Sequence, residues 1–450
     1  KRLELEEAFL ADACLVSINH MKSIYPELEQ RREFILKVAE SEETRFHETL
    51  NTGLNMLDGI ISKPSSLINN KIAGKDVFKL YDTYGFPVEL TREIAGKAGL
   101  DIDMDGFEKE MQQQRERARA AARFDNAEVS RITLRTGMTE TEFVGYYRLE
   151  SNSKILDILI DNQSSDTLQA GQDASLILDF TPFYAEKGGQ VGDTGVIIND
   201  SGKFSVSDTV YFGSYVLHKG ALEEGEMEVG QEVKASVDEE RRKDIAANHT
   251  ATHLLQYALR EVLGKHVHQR GSQVGPFEFR FDFSHLTAMT DEEILSVQRI
   301  VNALIRKNLI VNAEQMSYTQ AVESGAIALF DEKYGDRVRV IKIGDPTISA
   351  ELCGGTHISA TGQIGFFQIV SESSIGSGLR RIQAVTGKGA ETLVEYNTAK
   401  LNDIAKALTA PPAEAERKVL ELIRSLEAVS YTHLRAHETV LDLVCRLLLE

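Results

Sequence analysis

Two short segments, far apart in the chain, restrict what this sequence can fold into: HTATHLL, with His249 and His253, and LCGGTH, with Cys353 and His357. Imidazole and thiolate are the donors that zinc prefers, and four of them fill a tetrahedral site. For these four residues to act together, one element must meet another from about a hundred residues away.

In DIAANHTATHLLQYALREVL, Leu254, Leu255, Ala258, Leu259, Val262 and Leu263 recur at helical spacing and form a stripe to be buried. That reading places His249 and His253 one turn apart on one face, close enough to share an ion. Gly354 and Gly355 lie between Cys353 and His357, so this pair belongs on a tight turn. Each half is weak alone, because a helical HxxxH is as often a pair of packed or solvated histidines. A lone cysteine is usually a small buried hydrophobe. Both halves in one chain favour a shared metal site. Cys14 and Cys445 have no partner at ligand spacing, nothing suggests a disulfide framework, and a reducing, cytoplasmic compartment is expected.

The 450 residues suffice for roughly three domains. The chain begins at Lys1, inside an amphipathic pattern and without an initiator methionine, which suggests a fragment. No stretch approaches the roughly 20 apolar residues of a membrane span and no signal peptide opens it, so a soluble chain without a membrane partner is expected. A net charge of -19 argues against a nucleic-acid partner only if the charge is evenly spread. Arg115, Arg119 and Arg123 share a helical face, and Arg241, Arg242, Lys243 and the Arg380-Arg381 pair form further basic spots. These are either solvated surface or patches that grip RNA.

The expected fold class is multi-domain α+β. Residues 1–125 read as a helical bundle and 130–237 as a small β-barrel of short strands (KILDILI, ASLILDF, TGVII, SDTVYF, YVLHKG). Residues 238–389 form an α+β domain around the four ligands, and 390–428 begin a C-terminal helical, coiled-coil segment. Within the barrel, FYAEKGGQVGDTG has Gly188, Gly189, Gly192 and Gly195 in close order but neither the Walker ending nor dinucleotide spacing, so a barrel turn is expected. PFEFRFDFSH places Phe277, Phe279, Phe281 and Phe283 on one strand face, with Glu278, Arg280, Asp282 and Ser284 on the other. Arg380 and Arg381 follow the turn Gly376-Ser377-Gly378, where amides and guanidinium groups could meet phosphate, although strand alternation points only one inward. Residues 429–450 resemble a translated sequencing-adapter tail and are expected to be non-native.

The segments KLYDTYGFPVELT, FYAEKGGQVGDTG, NHTATHLLQYALREVLG, GSQVGPFEFRFDFSH, GAIALFDEKYGD, ELCGGTH and GLRRIQAVTG, in this order, resemble the alanyl-tRNA synthetase family from the first residues to about Ala428. The two ligand pairs alone are shared with threonyl-tRNA synthetase editing domains and free-standing editing proteins. The helical KLYDTYGFP block and the long barrel separate this chain from both.

The resemblance implies a class II synthetase whose ATP, Mg and alanine site lies upstream of Lys1. The present chain would then hold the later part of the tRNA-recognition helices, the barrel, an editing domain, and the start of a dimerisation region that allows a homo-oligomer. The family attaches alanine to tRNA(Ala) with ATP and hydrolyses Ser-tRNA(Ala) and Gly-tRNA(Ala), and this chain is expected to keep only the hydrolysis. Carried over residue by residue, one zinc ion falls to His249, His253, Cys353 and His357, as an organiser of the pocket or as a Lewis acid. Cys353 and Gln269, in HVHQRGS, are the expected catalytic-pocket residues. Asp82 matches a residue that reads the acceptor-stem G·U pair, and otherwise reads as a carboxylate capping YGFP. A metal-stabilised RNA-binding module without catalysis is the competing reading.

Overall fold

The computed structural model describes residues 8–62, 67–68, 70–115, 132–327, 335–376 and 378–428. Arg119, Arg123, Ser377 and the 429–450 segment lie outside them. Among the described residues, no helix is long and apolar enough to cross a membrane.

The first part is built on helices Leu10–Met21, Arg32–Ile61, Gly74–Asp82 and Val88–Lys97, followed by helical residues 104–115. Its core gathers Leu57, Val77, Leu80, Phe86, Ala95 and Phe107. A small sheet of Leu67–Ile68, Lys71–Ile72 and Asp101–Ile102, which the helical reading did not include, is threaded among the helices. Two-residue strands are too short to leave a period in the sequence. Helix Gly74–Asp82 is closed by its own backbone: the Gly85 N–H donates to Tyr81 and the Phe86 N–H to Leu80, with Gly85 at φ +64°. Asp82 therefore does not cap YGFP; it is exposed and accepts a bond from Gln114 Nε2 at 2.5 Å.

The second part is a closed, antiparallel six-stranded barrel. Its strands run Gly202–Phe212, Gly195–Ile198, Glu232–Val237, Glu150–Ile160, Asp173–Leu178 and Tyr215–Glu228, and the last pairs with the first. Closure leaves no free edge among the six. Ile155, Ile158, Leu176, Leu178, Phe204, Leu222 and Ala235 fill the interior.

In the third part, helix Glu239–Leu263 starts at Asp238, whose side chain accepts from the Arg241 N–H, and carries Glu239 and Glu240 in its first turn. It packs with helix Asp291–Arg306 against the sheet Gln269–Val274, Phe279–Ser284, Leu379–Thr386 and Phe367–Gly376. Phe279, Phe281 and Phe283 are wholly buried there. Phe277 is not: it precedes the strand after Pro276 and is 79% exposed, because alternation governs a residue only once the strand has begun. A second sheet, Val311–Ser317, Arg337–Ile343 and Ser349–Leu352, delivers Cys353 at its end. Helix Gly387–Ala407 and helical residues 415–428 follow.

Barrel and helix are joined by a buried ion pair. Arg242 is 5% exposed, pairs with Asp193, and donates to the Gly145 carbonyl at 2.9 Å and the Pro182 carbonyl at 2.8 Å. It is thus no part of a basic surface spot. A planar fork whose three nitrogens all find acceptors can lie inside the protein, and the neighbouring charges in the sequence give no sign of that.

Candidate metal centre and its cleft

The Glu239–Leu263 helix sets His249 and His253 side by side, their rings 5.7 Å apart and 7° from parallel. The turn after Ser349–Leu352 brings Cys353 and His357 against them. One ligand atom from each of the four lies within 4.8 Å of the others. Cys353 Sγ is 3.3 Å from both His249 Nε2 and His357 Nε2.

Each imidazole has its other nitrogen held from outside the quartet. His253 Nδ1 is 2.8 Å from Glu351 Oε2, and a carboxylate only accepts, so the proton sits on Nδ1. His249 Nδ1 is 2.7 Å from Gln190 Oε1, which also accepts the Thr356 N–H at 2.9 Å, while Gln190 Nε2 donates to Thr356 Oγ1. Those contacts fix the amide's orientation and put a proton on His249 Nδ1. Thr250 Oγ1 donates its single proton to the Ala246 carbonyl, so it accepts from His357 Nδ1 at 3.2 Å. All three rings therefore direct Nε2 at a common point, in the manner of metal-binding histidines oriented by outer hydrogen bonds.

The electrostatics agree with that donor set. His253 Nε2 is a buried nitrogen without a hydrogen-bond partner. Burial works to raise the Cys353 thiol, but the His249 and His357 imidazoles outweigh it and hold the group well below its ordinary value, as a thiolate. Burial likewise opposes charge on His253, yet the Glu351 carboxylate and Cys353 overcome it and push the ring up to about 10. Burial, with help from His249, drives His357 down to about 3, against the pull of Cys353. A thiolate with imidazoles that a cation can relieve of a proton fits a zinc quartet.

The CGGTH turn has little freedom. A Cβ on Gly355 would lie 2.0 Å from His249 Cε1, so the second glycine is required by the histidine ring packed on it. Arg339 Nη1 donates to the carbonyls of Cys353 and Gly355 at 3.1 and 2.7 Å, and the Tyr146 hydroxyl donates to Gly354 at 2.6 Å. The Arg339 guanidinium also sits 4.2 Å from the Tyr146 ring centre.

His249, His253 and Cys353 of the quartet form part of the wall of a cleft of about 420 Å³ between barrel and third part. Tyr146, Tyr184, Lys187 and Tyr211 come from the barrel side, and Gln269, Arg337, Arg339 and Glu351 from the other. Burial pushes the Tyr146 and Tyr184 phenols up, so both stay neutral. Three cations and three phenol rings thus face one cleft in a chain of net charge -19.

Of the residues singled out from sequence, His249, His253, Cys353 and Gln269 line this cleft, with Gln269 Nε2 donating to Ser272 Oγ at 3.0 Å, and His357 completes the quartet with the first three. Asp82 stands apart on the helical part. Arg380 is buried on Glu372, and Arg381 pairs with Asp282 through bonds of 2.6 and 2.7 Å, so each guanidinium already holds a carboxylate. Sequence reasoning missed Gln190, Glu351, Thr250, Arg339 and Tyr146. The glycine-rich segment carrying Gln190 is more than a barrel turn; it supports the quartet. Its one readable signal was a glutamine with no role of its own between tightly spaced glycines.

A barrel whose loop supports a His/Cys quartet on an adjoining α+β domain defines a protein class, and profile comparisons place it among the tRNA synthetases. The profile described as tRNA synthetases class II (A) matches residues 1–241, and that described as threonyl and alanyl tRNA synthetase second additional domain matches 338–383. The alanine–tRNA ligase of Dehalococcoides mccartyi is 50% identical over 437 residues, covering 96% of this chain and 50% of the relative. That of Lysinibacillus sphaericus is 44% identical over 446 residues, 97% of this chain and 49% of the relative. The chain belongs to the alanyl-tRNA synthetase family. It spans about half the length of these curated relatives.

Proposed function

We propose that this chain is the part of an alanine–tRNA ligase that recognises tRNA(Ala) and hydrolyses Ser-tRNA(Ala) or Gly-tRNA(Ala). Charging of tRNA(Ala) with alanine, using ATP and Mg, belongs in this reading to the other half of the full-length enzyme. Residues 1–125, 130–237, 238–389 and 390–428 serve as tRNA-recognition helices, barrel, editing domain and start of a C-terminal region. The apolar Val419, Leu422, Ile423 and Leu426, exposed on its last helix, suit coiled-coil pairing in a homo-oligomer. A cytoplasmic location follows from the free thiols and the reaction.

The observation that carries this reading is the place of His249, His253 and Cys353, three of the quartet, in the wall of a cleft lined by Lys187, Arg337 and Arg339 and by three tyrosines. Cations suit the phosphates of a 3′ end, and aromatic rings suit its terminal adenine. His249, His253, Cys353 and His357 hold one zinc ion. Zinc in such a site polarises an ester carbonyl or acidifies water when a coordination position opens, and otherwise organises the pocket.

The chain's own groups do the rest. Gln269 directs its amide into the cleft and orients the amino acid or its ester by hydrogen bonds. Cys353 anchors the turn whose carbonyls Arg339 and Tyr146 hold, and Glu351 keeps the His253 proton on Nδ1. Asp82, exposed at its helix end, would meet the acceptor stem by exchanging its bond from Gln114. Arg380 and Arg381 would reach a phosphate only by releasing Glu372 and Asp282.

The test is metal analysis of the purified chain alongside incubation with Ser-tRNA(Ala) and Ala-tRNA(Ala). One zinc per chain and selective loss of the seryl ester are expected. Retention of both esters with measurable tRNA binding would establish the non-catalytic binding module instead, and loss of both would leave a deacylase without editing selectivity.

A further inference from the structure

A second cavity, of about 290 Å³, lies beside the quartet and shares Ile327 and Glu351 with the first cleft. The face of helix Glu239–Leu263 that carries His249 and His253 continues at the same spacing through Gln256 and Tyr257 to Arg260, and these three line the new chamber. The His253–Glu351 pair therefore stands between two compartments.

Gln256 is 1% exposed, yet its Oε1 has no hydrogen-bond partner, although a buried amide oxygen left unpaired is costly. Arg260 is half-buried and donates from Nη1 to the Val267 carbonyl at 3.1 Å; among the described residues, no carboxylate pairs with it. Glu351 accepts from His253 through Oε2 and from Ser349 through Oε1, and each oxygen retains a lone pair. The chamber is thus lined by a cationic donor together with anionic and neutral acceptors.

We propose that this chamber binds a small zwitterionic amino acid, its carboxylate on Arg260 and its ammonium on Gln256 Oε1 and Glu351. The volume of about 290 Å³ admits glycine, alanine or serine with room to spare, so recognition rests on the two charged poles and not on side-chain length. Placed directly behind the quartet, it is a site where a released amino acid can be held away from the ester. The choice of serine and glycine as occupants rests on the hydrolytic reading above. The preference for a zwitterion does not, so failed hydrolysis and failed amino-acid binding are separate results.

The test uses the whole chain with 3-fluorotyrosine in place of tyrosine, followed by fluorine NMR during titration with glycine, L-alanine or L-serine. Tyr257→Phe assigns the resonance of the chamber, and Tyr211→Phe one in the first cleft. The Tyr257 signal should move saturably, with affinity weakened about tenfold or more for propionate or methylamine, which carry one pole each. Arg260→Met should abolish the shift. Gln256→Leu should abolish it too while raising the thermal midpoint, because it removes an orphaned acceptor, and loss of binding is then not loss of fold. A titration that moves only the Tyr211 signal, or leaves Tyr257 unmoved in the unsubstituted chain, overturns the proposal and assigns Gln256 Oε1 to water.

Discussion

Gln190 is the most exacting test of the metal-centre geometry, because it comes from the barrel and never touches the proposed ion. It is wholly buried, and replacing it by alanine removes the acceptor of the His249 Nδ1–H and the Thr356 N–H together with the donor to Thr356 Oγ1. Two buried donors left unpaired cost about 1–3 kcal/mol each, so Gln190→Ala should lose about 2–6 kcal/mol of stability. Freed from its outer partner, His249 no longer has one favoured ring orientation, and zinc affinity should fall by about 10–100-fold. That corresponds to about 1.4–2.8 kcal/mol. Gln190→Glu keeps both acceptor roles and loses only the donor to Thr356 Oγ1, so it should restore most of the affinity. The assay is competition for zinc against a chromophoric chelator, with urea unfolding measured in the presence and absence of chelator. If Gln190→Ala holds zinc within about twofold of the unsubstituted chain, outer-partner control of His249 is refuted.

Cys353→Ala should remove the thiolate, drop zinc below one ion per chain in elemental analysis, and abolish seryl-ester hydrolysis; full occupancy with full activity would exclude Cys353 from the site. Gly355→Ala should displace His249, since the new methyl would begin 2.0 Å from the ring, and should be visible as lost zinc affinity in the same competition. Arg242→Met leaves Asp193 charged and buried, and should cost about 3–5 kcal/mol in urea unfolding, most of it recovered when Asp193 is also made apolar. His218 sits wholly buried in the barrel, donating from Nδ1 to Leu176 and accepting from Thr181, and burial pushes its pKa down to about 4. The unfolded chain takes up a proton near 6.5 and the folded chain does not, so stability should fall as pH drops from 6.5 through about 4 by about 3 kcal/mol in total. His218→Gln should flatten that slope.

The sequence made the ligand quartet legible because each half is local: i, i+4 spacing and a two-glycine turn are readable from a few residues. The change from helical period to short β-runs likewise marked the barrel. The supports of the quartet were not readable, since Gln190 and Glu351 meet their histidines across 59 and 98 residues and belong to common polar types. Arg242 misled for the related reason that adjacent charges in sequence look alike whether they face water or a buried aspartate. Phe277 misled because an alternating run does not say where its strand starts.

The ties from Gln190 to His249 and from Asp193 to Arg242 bear on how the molecule can be divided. A transplant beginning at residue 238 would carry all four ligands and still lack the struts that aim one of them and seat its helix. The smallest portable version must include the barrel loop, and so the ring of strands that shapes it.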